Sequence, residues 1–219
     1  MHKELIYTLY ERFWHWFQAV MILTLLLTGF SVHYSGSAGI IPFATAVRLH
    51  NVVGWLLVIN AFLGFFYYLT TGTLRQLIPE PREWHILAWR QLRYYLYGMF
   101  HAEPHPLQRS RQRRLNPLQQ ITYLAILNIL LPVQVVTGVA LWFMQYSPKL
   151  IHLVGGIGNL AAVHMLGAWF FAAFVLAHIY LATTGPTPWA HFVTMITGYE
   201  VVEGPSGSDP LPVQQNETT

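Results

Sequence analysis

The 219-residue chain contains no cysteine. That excludes disulfides, thiolate-held clusters and covalent CxxCH cofactor attachment, and it leaves histidine, present 11 times, as the obvious metal ligand. Charge is also scarce: Asp, Glu, Lys and Arg make up 10% of the residues against 54% hydrophobic, with a mean hydropathy of +0.39. A soluble domain of this size carries far more polar surface, so the composition is that of an integral membrane protein. No Asp, Glu, Lys or Arg occurs in 13–47, 49–74, 115–148 or 150–199. The lack of acidic residues in these runs, and of any internal repeat, argues against a coupled transporter.

Each charge-free run holds a stretch long enough to cross a hydrocarbon core of about 30 Å. The expectation is an all-α four-helix transmembrane bundle with spans near 13–34, 48–72, 118–145 and 158–183, all within one domain, 1–200, followed by a disordered cytoplasmic tail, 201–219. The first apolar run has charge ahead of it but no small-residue cleavage site, and it is read as a retained helix. Ten of the 12 basic residues fall on one side: Lys3 and Arg12 before the first span and eight arginines between the second and third. The positive-inside rule places both ends and that loop in the cytoplasm. It also accounts for a pI near 9.2 through contact with anionic lipid rather than nucleic acid. Within 75–114, EWHILAWRQLRYYLYGMF reads as an interfacial helix, and WAHFVTMITGY as a second, shorter one. Asn116-Pro117 opens the third span as cap and first-turn proline, and Pro132 is expected to kink it.

The fourth span, HMLGAWFFAAFVLAH, carries His164 and His178 fourteen residues apart. Fourteen residues rise about 21 Å and return to nearly the same helical face, so two imidazoles leave one face at two depths. The topology supplies partners at matching depths: His15 with His178 near the inner surface, His50 with His164 near the outer. Two histidines at each of two levels suit two six-coordinate haems b, with no open iron position for oxygen or substrate, which favours electron transfer. His33 competes with His50, but it lies about 27 Å from His15 and overshoots the outer level. Gly29 and Gly64 each lie fourteen residues after a proposed ligand, where a flat ring could approach the backbone. Arg12 and Arg48, just before His15 and His50, could bind haem propionates or lipid phosphates.

RFWHW at 12–16, RLHNVVGW at 48–55, NPLQQITYLAIL at 116–127, the His164/His178 pair and TTGPTPWAHFVTMITGYE at 183–200 together resemble the di-haem cytochrome b subunits of thiosulfate reductases, formate dehydrogenases and nickel–iron hydrogenases. The last block is most similar to the thiosulfate-reductase-like branch. The resemblance implies a membrane anchor in the bacterial inner membrane that passes electrons between quinone and an iron–sulfur or multihaem partner on the periplasmic side. It also implies His15 and His178 on the inner haem, His50 and His164 on the outer, and a quinone pocket near Asn116 and Gln119. The alternative is a stand-alone b561-type oxidase acting on a small oxidant such as superoxide.

Overall fold

In the computed structural model the described residues are 2–35, 39–78, 84–101, 103, 115–144, 146 and 155–202. Part of the basic loop, with Arg82, His105 and four of its other arginines, lies outside them, as do Lys149, His152 and the tail from residue 203.

Among the described residues four helices are long and apolar enough to cross a membrane: α1 (Leu9–His33), α2 (Phe43–Thr70), α4 (Pro117–Met144) and α5 (Ile157–Ala182). Helix α3 (Trp84–Leu96) precedes α4, and α6 (Ala190–Thr197) follows α5. The first two spans begin four and five residues earlier than the charge pattern suggested. Glu11 and Arg12 lie inside α1, whose cap is Thr8, and Arg48 lies inside α2, whose cap is Pro42. Charged groups are tolerated in a first turn at the membrane surface, so the last charge does not mark the helix start. At Thr8 the capping box is complete: its Oγ1 accepts from the Glu11 N–H, and its own N–H donates to Glu11 Oε2 at 2.8 Å.

Helix α1 packs along α2 and α4 along α5, and these two pairs meet along a narrower seam. Small residues sit at the closest approaches, with Ala46, Thr28 and Ser31 all fully buried. Large side chains such as Phe62 and Leu176 point outward, the arrangement that lipid solvates.

Helix α4 contains a π turn at Ile126–Leu130, in which the Leu131 N–H reaches back five residues to the Ile126 carbonyl. The distortion expected at Pro132 is thus taken up one turn earlier. The extra residue also rotates everything downstream, including Gln134, Thr137 and Gly138, by about 100° around the axis.

A two-stranded antiparallel sheet was not foreseen. β1 (His2–Leu5) pairs with β2 (Tyr199–Val202), with His2 opposite Val202 and Leu5 opposite Tyr199. Val201 and Val202, expected to begin the tail, therefore belong to a strand that ties the two ends of the bundle together on one side. Helix α6 docks on the first turns of α1, where Arg12 Nη1 donates to the Ile196 carbonyl and Trp16 Nε1 to the Met195 carbonyl.

Candidate metal centres

Four of the five histidines on the spans meet as two pairs. His15 of α1 faces His178 of α5 with ring centroids 6.1 Å apart, and His50 of α2 faces His164 of α5 at 6.2 Å. His33 at the end of α1 instead lies edge-on to Tyr34, while His101 bonds the Tyr97 carbonyl outside the bundle. Two imidazoles bound trans to one metal by Nε2 bonds of about 2 Å, with each ring centre roughly 1.2 Å further on, have centroids roughly 6.4 Å apart. Both pairs fit a bis-imidazole iron.

Around the outer pair the helices contribute a matched set of contacts. Thr28 Oγ1 of α1 lies 2.9 Å from His50 Nδ1, and Thr137 Oγ1 of α4 lies 2.9 Å from His164 Nδ1. The next residue in each helix is a glycine against the same ring: a Cβ on Gly29 would stand 3.3 Å from His50 Cε1, and one on Gly138 3.0 Å from His164 Cε1. Gln134, one turn before Gly138, brings its amide nitrogen to 3.2 Å from His164 Nε2, while its carbonyl oxygen is buried without a partner among the described residues. Thr28, Thr137, Gly138 and Gln134 had not been singled out from the sequence. Their only signal there is polarity, or a missing side chain, inside an apolar run.

At the inner level the neighbours differ. His15 Nδ1 is buried with no partner among the described residues, and the Phe174 ring stacks near His178. Gly64 does not offer bare backbone to a flat ring. It backs the Trp14 indole so closely that a Cβ there would lie 2.6 Å from Trp14 Cζ2, and the indole N–H donates to the Asn60 carbonyl at 3.2 Å. The reason is bulk: the indole just before His15 needs the volume that any side chain at 64 would fill. Arg12 uses Nε and Nη1 on the carbonyls of Thr8 and Ile196, which leaves its other N–H groups for an anion, and Arg48 is exposed near the outer end of α2.

Asn116 and Gln119 form a capping box at the start of α4. Asn116 Oδ1 accepts from the Gln119 N–H at 2.9 Å, and Gln119 Oε1 accepts from the Asn116 N–H at 3.0 Å. The Asn116 amide also donates to Tyr95 Oη of α3 at 3.1 Å. Both amide oxygens are thus engaged by the helix, and the N–H end of Asn116 faces α3.

Residues 6–198 match the family described as prokaryotic cytochrome b561. The chain is 33% identical over 203 residues to the cytochrome YdhU of Escherichia coli K12, covering 90% of this chain and 76% of that one. It is 26% identical to YedZ1 of Azospira oryzae, named as a protein-methionine-sulfoxide reductase subunit, covering 91% and 100%. It is 28% identical to a Ni/Fe-hydrogenase B-type cytochrome subunit of Azotobacter vinelandii, covering 83% and 82%. No solved structure matches. With four apolar spans and a family match that covers most of its length, the chain belongs to the prokaryotic cytochrome b561 family, as a multi-pass, electron-transferring b-type cytochrome of the bacterial inner membrane.

Proposed function

We propose that the chain is the membrane-anchor subunit of a quinone-linked oxidoreductase, holding two haems b and conducting electrons between the quinone pool and an iron–sulfur or multihaem partner on the periplasmic side. The observation that carries this reading is the pair of imidazole separations, 6.1 and 6.2 Å, at two levels of one helix bundle. His15 and His178 would hold the inner iron, and His50 and His164 the outer. Haem b so held supplies a one-electron carrier at each level.

The protein's own part would be to supply two imidazoles to each iron, which favours electron transfer over oxygen chemistry at the metal; a stand-alone oxidase acting at the outer surface would share this plan, and robust turnover by the isolated chain would favour it. Ligation of His164 through Nε2 requires the Gln134 amide to withdraw from that lone pair, and the side chain's three rotatable bonds permit it. Relatives named as subunits of a hydrogenase and of a methionine-sulfoxide reductase support the dependence on a partner.

Quinone would bind where α3 meets α4, close to the inner level. A quinone carbonyl in an apolar pocket needs a donor, and the amide N–H groups of Asn116 and Gln119 can supply one without bringing charge into the membrane. Quinone reduction there would take protons from the cytoplasm, so electrons entering from the periplasmic side would make the overall transfer electrogenic.

The test is haem quantitation of the purified chain by pyridine haemochrome. Two haems b per chain are expected, with His164→Ala and His178→Ala each retaining one. A fully loaded wild-type protein with a single haem would overturn the two-level scheme.

A further inference from the structure

We infer that Thr28 and Thr137 are positioning residues that set the proton and the orientation of the two outer-level imidazoles, with Gly29 and Gly138 making room for the rings. The inference rests on the outer pair acting as iron ligands.

The hydrogen positions follow from which groups can donate. A threonine hydroxyl has a single hydrogen. In Thr28 it is directed to the Thr24 carbonyl, 2.7 Å away, and in Thr137 to the Val133 carbonyl, also 2.7 Å away. A carbonyl can only accept, so in each case the hydroxyl proton is committed to the helix one turn back, and the oxygen turns its lone pairs to the imidazole. The short contacts to His50 Nδ1 and His164 Nδ1 are then N–H···O bonds in which the ring donates. Each imidazole is thereby held as the Nδ1–H tautomer, and its unprotonated nitrogen, Nε2, is the one available to a metal. The Gln134 amide close to His164 Nε2 is consistent with this, since an amide N–H seeks a lone pair.

Two different helices reach this arrangement independently. α1 serves a ligand on α2, and α4 serves a ligand on α5. In both, the residue after the threonine is the glycine whose missing side chain lets the ring sit against the backbone. Both hydroxyls are enclosed, Thr28 at 0% and Thr137 at 7% exposure, so water does not replace them as acceptors. Donation from Nδ1–H makes an imidazole a stronger base toward the metal and favours the oxidised iron. The inner level has no such hydroxyl at His15, whose Nδ1 lacks any partner among the described residues.

The experiment is a redox titration of the detergent-solubilised holoprotein in wild-type form and as Thr28→Val, Thr137→Val, Thr28→Ser and Thr137→Ser. Low-spin EPR spectra are recorded alongside, and the outer component is identified as the one missing from His164→Ala. The expected result is an upward shift of the outer midpoint potential and altered g values of that component in each valine variant, with the inner component unchanged and the serine variants restored to wild type. Should a valine variant lose the outer haem altogether, its return in the matching serine variant supports the assignment, and failure of serine to restore it overturns it in favour of a packing role. An outer potential that stays at the wild-type value in both valine variants with both haems bound also overturns it, as does a shift confined to the inner component. A wild-type protein without a haem at the outer level would instead sink the reading of His50 and His164 as ligands.

Discussion

At the outer level of the bundle each histidine has a threonine oxygen on Nδ1 and a glycine against Cε1, whereas at the inner level His15 Nδ1 has no partner among the described residues and the neighbouring glycine, Gly64, makes room for Trp14 instead. The ring separations are nearly the same, so the difference lies in how the rings are held and not in how far apart they stand. Two sites built on one helix, with one kind of ligand, can therefore be tuned apart by the residues behind the ligands. Inner-level polarity is concentrated elsewhere, at the capped start of α4, where Asn116, Gln119 and Tyr95 meet.

The comparison depends first on which level is outer. With ten of the 12 basic residues on one side, reporter fusions at Thr219 and within 101–114 should read as cytoplasmic and one within 35–41 as periplasmic, an all-or-none outcome. Inverted signals would exchange the two levels and move the partner's docking side with them.

The glycine contacts can be broken selectively. Gly138→Val places branched carbon where even a Cβ would be 3.0 Å from His164, so the ring must move, and at least half of the outer haem should be lost while the inner haem stays. Quantitation against wild type reads the difference. Equal loss of both haems would mean that Gly138 serves the bundle as a whole and not one ligand.

The smallest effect is expected at the inner end. Asn116→Asp keeps an N-cap acceptor for the Gln119 N–H but removes the amide donors, so the helix cap survives while a hydrogen bond worth about 0.5–1.5 kcal/mol to a quinone carbonyl is lost. Quinone affinity should fall severalfold with both haems retained, as followed by quinol-driven haem reduction. Unchanged affinity in this variant and in Gln119→Leu would move the quinone site away from the start of α4.

Four spans, the two shorter helices and the grouping of four histidines into two pairs were legible in the sequence. Hydrocarbon thickness sets the length of an apolar run, and helical pitch carries His164 and His178 to one face. The π turn was not legible. Pro132 announces a disturbance, but which turn absorbs it depends on how α4 packs against α5. The strand pairing of His2–Leu5 with Tyr199–Val202 joins segments almost two hundred residues apart, and no local pattern announces it.

Thr-Gly marks the boundary most clearly, since that dipeptide occurs five times, at Thr28, Thr71, Thr137, Thr184 and Thr197. Three of the five lie at or beyond a helix end, where threonine and glycine are ordinary ending residues. Composition and spacing alone determined a membrane bundle with two levels of histidine, because solvation by lipid and the pitch of a helix act on each segment separately. Only the packing of α1 on α2 and of α4 on α5 decided which two threonines face an imidazole, because a hydrogen bond between helices depends on their relative rotation and depth, which neither helix encodes by itself.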